Sequence, residues 1–392
     1  MERYELKAGV FLPPHHPNNE DVTLAMERDF KFVEWLDELG YAEAWIGEHH
    51  CGGMQIYGSP ELFIAEAAVR TKRIRLGTGV ISLPYHNPLM VADRVIQLDH
   101  QTRGRAMFGF GPGFLVGDAM MLGLNPDKQR DYLVEGIDTV IKLIEGEVVS
   151  RETDWFKLYN ARSHITPYTR PRPHLAVASA RTPSGGRIAG RYGLGMICVA
   201  ADSPDGYNVL DLNWQLANEE AAKHGNVMDR RNLRVTANFL LAETREEARK
   251  ACEFGIGPFF RYLETLNPPA AAAAKSPDNM LDGLTQSRGA GVIGTPDDAV
   301  EVLERLWEKT GGFGTVILGS SNWMNFEATK KSFELFARYV LPKFDGRNRR
   351  REASQAWYYE NREEFSGRNR GAIKKTIDKH FEVEKARNQH EH

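Results

Sequence analysis

The sequence predicts an α/β fold: a (β/α)8 TIM barrel with insertions, followed by a charged helical C-terminal extension. Three observations predict it. Eight short apolar runs alternate with longer amphipathic ones. Nearly every run leads into helical periodicity, which implies right-handed parallel crossovers. Eight such units over roughly 340 residues suit a closed barrel better than an open doubly wound sheet.

The elements follow in order. LKAGVFLP (6–13) reads as a buried strand, and 21–40 reads as an amphipathic helix stopped by a glycine. AEAWIGEHH (42–50) is the second strand. The helix at 59–72 has Ser59 as its N-cap, Pro60 in the first turn and Glu61 where the helix dipole favours an acid. Strand 73–84, helix 87–104 and strand 105–113 continue the rhythm, and a helix follows near 127–146. The aromatic, proline-rich segment 147–172 breaks it. The rhythm resumes with strand 174–179, helix 184–192, strand 195–200 and helix 208–224. A strand at 232–243 precedes a helix that starts near Thr244. NPPAAAAAKSPDN (267–279) has the composition of a flexible insertion. Thr295 and Pro296 open a helix at 294–311, 314–320 is the eighth strand, and a last helix covers about 325–341. The barrel is thus expected over 1–344. The charged remainder, 345–392, is a helical extension whose Trp357, Tyr358, Tyr359 and Phe365 dock on the barrel or on a neighbouring subunit.

Composition narrows the functional class. The chain is 42% hydrophobic and 26% charged, the profile of a globular protein. A formal net charge of −3 gives no global field for a polyanion, so nucleic acid is not expected as a partner, and RNRRR (347–351) reads as a solvated face. No apolar run approaches the roughly 20 residues that span a bilayer, and no signal-peptide pattern opens the chain, so a cytoplasmic, membrane-free protein is expected. The three cysteines form no CxxC pair, which argues against a disulfide framework or structural zinc.

Active sites of such barrels lie at the C-terminal ends of the strands. There the chain puts His15-His16, Glu48-His49-His50-Cys51, Ser82 to Asn87, Gly109 to Gly113, Ser179 to Gly186 and Ser320 to Trp323. Glu48 to Cys51 could be a metal site, a thiol nucleophile with its base, or a proton station beside a cofactor. Metal ligation from one strand needs spacing i, i+2, whereas adjacent His49 and His50 point to opposite faces if both lie on the strand. No H-x-H occurs on any of these strands and no H-E-x-x-H occurs, so no metal is expected. Cys51 as a nucleophile lacks any further signal of acyl transfer. A cofactor needs an anchor, and Ser179, Arg181, Thr182, Ser184, Gly185 and Gly186 stand between a strand and a helix N-terminus, which favours an anion such as phosphate. Ser82 and Asn87 end the third strand and join this cofactor-binding set. Phe11, His15, His50, Tyr85, Phe110, Phe114 and Trp323 are the expected substrate-pocket walls, with Trp45 as a further wall or as barrel filling. Pro13-Pro14-His15-His16 stands where a glycine-rich dinucleotide fingerprint would follow the first strand.

These residues together resemble a family. GEHH at the end of the second strand, RLGTGVISLPYHNPLMVADRVIQLDHQTRGR, the serine/glycine loop after the fifth strand and IGTPDDAVEVL near the end are similar to the bacterial-luciferase-like flavin monooxygenases. Within that family GVFLPPHHP, GYAEAWIGEHH and the tail with QAWYYENREEF resemble the subgroup described as limonene 1,2-monooxygenases. The resemblance implies a reduced flavin, FMN or FAD, supplied by a separate NAD(P)H flavin reductase. It also implies O2 as co-substrate, a C4a-peroxyflavin, and oxygenation of a small apolar substrate, a monoterpene such as limonene. A homo-oligomer is expected. His49 takes the family's proton-transfer position. The family's reactive cysteine and phosphate arginine on the fourth strand correspond to Gly111 and Pro112, which shifts the phosphate role to Arg181 or Arg187. A non-proline cis peptide would fall at Gly79–Val80, and a mobile lid at 266–290. The alternatives are an F420-dependent oxidoreductase of the same superfamily, and a barrel metallohydrolase or non-catalytic flavin-binding protein.

Overall fold

The computed structural model describes residues 6–12, 15–199, 201, 203–285 and 291–389. Eight parallel strands close into a barrel: β1 (Lys7–Leu12), β2 (Glu43–Ile46), β3 (Arg75–Ser82), β4 (Ala106–Gly111), β5 (His174–Ser179), β6 (Gly195–Cys198), β7 (Leu233–Ala237) and β8 (Thr315–Gly319). They pair in chain order, and β8 closes on β1 with Ala8 opposite Val316. Each of the eight expected strands is present.

The helices after β1 to β4 are α1 (Val22–Leu39), α2 (Pro60–Arg70), α3 (Pro88–Thr102), then α4 (Val116–Met121) and α5 (Gln129–Ile144). After β5 and β6 come α6 (Ser184–Tyr192), α7 (Pro204–Asn208) and α8 (Leu210–Lys223). β7 is followed by α9 (Arg245–Leu266), α10 (Pro268–Ala274), α11 (Pro277–Thr285) and α12 (Pro296–Thr310), and β8 by α13 (Phe326–Leu335). Local chemistry sets their ends. Asp21 caps α1, which stops at Gly40 with φ 86°. Thr295 and Asp298 form a capping box on α12, with Pro296 in the first turn and Gly311 as the stop. Ser59 precedes α2 as expected but its side chain makes no capping hydrogen bond, so Pro60 and Glu61 carry that start.

Alternation along the strands separates two apolar sets. Outward residues such as Val10, Leu76, Phe108 and Phe110 join the helices in the main core. Inward residues Trp45, Met107, Ala176, Ile197 and Ile317, with Phe11 and Val199 beside them, fill the lumen. Trp45 is therefore barrel filling. Glycine makes room for it: a Cβ on Gly77 would stand 2.5 Å from the Trp45 ring. Phe110, expected as a pocket wall, packs on the opposite, helix-facing side of β4.

The floor of the barrel is charged. Arg234 donates from Nε and Nη2 to the two oxygens of Glu43 at 2.7 and 2.9 Å, and from Nη2 to His174 Nε2 at 2.9 Å. Trp45 Nε1 donates to the same carboxylate at 2.9 Å, and the guanidinium lies 4.9 Å above the indole. Burial opposes ionisation of Glu43, but Arg234 outweighs it and holds the carboxyl below its usual range. Burial, helped by Arg234, pushes His174 down to about 3.

Three expectations change. The segment 147–172 contains an antiparallel hairpin, Val149–Glu152 with Lys157–Ala161. The run 232–243 is two strands: β7 ends at Ala237, and Phe239–Leu241 leaves the barrel to pair with Val292–Gly294. The insertion expected as flexible is helical over α10 and α11, where Ala271 and Leu281 are buried and Arg249 pairs with Asp278 and Asp282 at 3.2 Å. Alanine's helix propensity and these contacts favour order, and the rest of the expected lid, 286–290, lies outside the described residues. Gly79–Val80 is cis, as expected.

Residues 346–389 form a separate compact unit of two helices, α14 (Arg349–Glu360) and α15 (Arg362–Gln389). Trp357 and Tyr358 pack on Phe365 across their junction, with centroids 4.9 and 5.2 Å apart. Among the described residues no helix is long and apolar enough to cross a membrane.

Candidate active site

β2 ends at Ile46, so Glu48 to Cys51 lie in the loop beyond it. The pleat of a strand therefore does not separate His49 from His50, and their partners do. Glu48 is buried and accepts three hydrogen bonds: from Ser82 N–H at 2.6 Å, His86 Nε2 at 2.6 Å and His50 Nε2 at 3.0 Å. Arg94 donates to His86 Nδ1 at 3.2 Å, which fixes His86 with its proton on Nε2, facing Glu48. Burial works against the Glu48 charge, but the bonds from His50, His86 and Ser82 outweigh it and hold the carboxyl at about 2. The same bond raises the pKa of His50, against partial burial.

His49 is held differently. Its backbone N–H donates to Tyr57 O at 3.0 Å, and its Nδ1 stands 3.4 Å from Asp118 Oδ2 without the alignment of a hydrogen bond. Asp118, on the short helix α4, accepts the His50 backbone N–H at 3.1 Å through Oδ1. Burial opposes its ionisation, but His49, Cys51 and that N–H keep it below the usual carboxylate range. Burial and the Asp118 charge push the Cys51 thiol up to about 11, so it is no thiolate nucleophile at neutral pH.

The C-terminal half of α9 lies over these loops. The His15 ring meets Phe259 and Tyr262 edge-on at 4.8 and 5.2 Å, and a Cβ on Gly52 would strike Leu266 at 2.9 Å. Gly255 N–H donates to Trp323 O at 2.8 Å, and Trp323 is buried against Phe259 at 5.2 Å. Burial drives His15 down to about 3, so it is neutral, and its Nε2 lies 3.2 Å from Gln55 Nε2. His16 donates to Asp29 at 2.8 Å and accepts from Arg28 at 2.9 Å, tying the first loop to α1.

The expected anchor loop has two faces. Ser179 Oγ and Asn213 Oδ1 are buried without a partner among the described residues, and no side chain caps α6. Arg181 and Thr182 are exposed, and Thr182 and Ser184 hydroxyls are 2.9 Å apart. Ser179, Arg181, Thr182 and Ser184 offer donors that fit an anionic oxygen cluster, whereas Asn213 Oδ1 is an acceptor and does not. Gly185 and Gly186 serve packing: a Cβ would stand 2.6 Å from Ala178 O in the first case and 2.4 Å from Asn213 O in the second. Arg187 leans toward Glu220 at 3.8 Å.

The other expected residues are scattered. Ser82 joins the site through its backbone N–H, while Asn87 is exposed and spends its oxygen on capping α3. Tyr85 lies against His50 at 5.9 Å and accepts from Gln129 at 3.1 Å, whereas Phe114 is 72% exposed and walls nothing. Phe11 borders the lumen and Trp323 the roof. Asp118, Gln55, Phe259 and Tyr262 were not foreseen. Asp118 alone left a signal, as an acid inside the apolar run FLVGDAMM (114–121). Among the described residues no group of three or more His, Cys, Asp or Glu side chains could hold a metal ion.

Comparisons with known proteins agree with this arrangement. The model of the luciferase-like monooxygenase family matches residues 6–313. The chain is 44% identical to a limonene 1,2-monooxygenase of Rhodococcus erythropolis over 86% of each chain. It is 42% identical to a 4-hydroxyprotoasukamycin monooxygenase of Streptomyces nodosus subsp. asukaensis, over 92% of this chain and 97% of that one. The fold is shared with the oxygenating constituent of 3,6-diketocamphane monooxygenase from Pseudomonas putida, solved in complex with FMN, at a TM-score of 0.70 and 22% identity over 86% of this chain and 98% of that one. A closed eight-stranded barrel, the EHHC loop at its mouth and a family match over most of the chain lead to one assignment: the chain belongs to the luciferase-like monooxygenase family.

Proposed function

We propose that the chain is the oxygenating component of a flavin-dependent monooxygenase, with His49 as its proton-transfer residue. One observation carries this reading. Glu48, His50 and His86 are committed to one another, whereas His49 keeps a buried Nδ1 that faces the ionised Asp118. Asp118 favours the tautomer with the proton on Nδ1, which leaves Nε2 to take or give a proton at a bound oxygen atom. Ser179, Arg181, Thr182 and Ser184 at the open start of α6 would hold the flavin phosphate. Held there, a reduced flavin would supply the electrons for O2 activation, with one oxygen atom going to the substrate and the other to water. Trp45 and Phe11 below, with Phe259, Tyr262 and Trp323 above, keep water from the reacting atoms.

Reduction is assigned to a separate NAD(P)H flavin reductase, because no dinucleotide fingerprint follows β1 in the sequence. Cofactor binding tests the reading. Titration with FMN and FAD should saturate at one flavin per chain, and Arg181→Ala should weaken it by about tenfold. NADH added alone should leave the bound flavin oxidised. Rapid bleaching by NADH without a reductase contradicts the two-component assignment.

A further inference from the structure

Buried polar atoms without partners concentrate at the mouth. Among the described residues, His15 Nδ1, Gln55 Oε1, Ser321 Oγ and Trp323 Nε1 have no hydrogen-bond partner, beside the two atoms already placed at His49 and Asp118. Trp323 is 3% exposed and Ser321 9%. Three of these side chains are linked through Phe259: Gln55 to His15, His15 to Phe259, Phe259 to Trp323. Unpaired buried polar atoms are costly, so a cluster of them beside the aromatic side chains of Phe259 and Tyr262 calls for a ligand that meets them.

The pair His15–Gln55 narrows the ligand's chemistry. If Gln55 Nε2 donates to His15 Nε2, then His15 keeps a proton on Nδ1, and the pair leaves one donor, Nδ1–H, and one acceptor, Gln55 Oε1. If the amide is turned the other way, His15 donates and the pair still leaves one acceptor and one donor. His15 is neutral in either case. Trp323 Nε1 can only donate. The smallest group that both donates and accepts is a hydroxyl.

We propose that this site takes a hydroxyl-bearing apolar compound, with His15, Gln55 and Trp323 as the residues that select the hydroxyl, and that it discriminates against the bare hydrocarbon of the same shape. A hydrocarbon would leave every one of these atoms unpaired, and a site built to bond a hydroxyl rejects the analogue without one far more strongly than an apolar pocket rejects an extra methylene. The proposal deepens the oxygenase reading but needs only binding, so the two can fail separately.

The test is calorimetric titration of the flavin-free full chain with two matched pairs: limonene against carveol, and para-cymene against thymol. The expected result is that the hydroxylated member of each pair binds about tenfold tighter or more, that Gln55→Met and Trp323→Phe each reduce the preference to within about threefold, and that both variants melt cooperatively. Equal or tighter binding of the hydrocarbons overturns the proposal, as does a preference that survives both substitutions. FMN titration and O2 uptake, run in parallel, report on the oxygenase reading alone.

Discussion

Glu48 accepts three hydrogen bonds inside the barrel mouth, and its ionisation links the site to pH. Its carboxyl titrates at about 2 in the folded chain, against an ordinary value of 4.5. A depressed carboxylate contributes stability above its unfolded pKa and loses it as pH falls through the folded one, so the contribution is whole above 4.5 and fades toward 2. His50, raised by the same contact, contributes below 6.5 and loses that contribution as pH rises through its folded pKa. His15 has the opposite sign to His50: at about 3 against 6.5, it stays neutral while the unfolded chain binds protons, so it destabilises the fold progressively between 6.5 and 3. Glu48→Gln should therefore cost about 2–3 kcal/mol near neutral pH, with the gap to the unsubstituted chain narrowing below 4.5. Urea midpoints measured across that range check it, and a gap that stays constant into acid contradicts it. At this scale the run Glu48 to Cys51 was visible as a dense cluster, but the sorting of its members was not. His50 bonds to Asp118 across 68 positions, and no local pattern encodes such a pairing.

At the scale of elements, the strands were the most readable feature because alternation and burial are local, whereas the close approach of helices is not. Gly186 read as part of an anion-binding loop, and Gly190 lies one turn beyond it in α6. In the fold they let α6 lie on α8, where a Cβ on Gly190 would stand 2.1 Å from Ala217 O. Gly190→Ala should lower the melting temperature by several degrees, about 1–3 kcal/mol of overpacking. Gly257→Ala, inside α9 with only Arg261 nearby at 3.8 Å, should be neutral or stabilising. Thermal denaturation of both variants decides it, and equal effects would contradict the packing role. The break of the 232–243 run at Asn238 and the helices of the alanine-rich insertion were hidden for the same reason: tertiary contacts, such as Arg249 with Asp278 and Asp282, settle them.

At the scale of the whole molecule, the barrel separates two jobs. Its floor is closed by the Glu43–Arg234–His174 network, which joins residues 191 positions apart and left no trace in sequence spacing. Its mouth gathers the loops after β1, β2, β3, β4 and β8 under α9, and there the chemistry-bearing residues stand where barrel geometry led one to look for them. In the proposed function His49 moves the proton in an O2-dependent oxygen transfer from reduced flavin. The most direct measurement is a single turnover with photoreduced FMN and isotopically labelled O2, using a substrate bound by the unsubstituted chain, which is then compared with His49→Ala. The expected result is one labelled oxygen atom in the product, and a loss of about 100-fold or more in that step for His49→Ala with the fold retained. Unchanged turnover by His49→Ala, or product formed without oxygen from reduced F420, would contradict it.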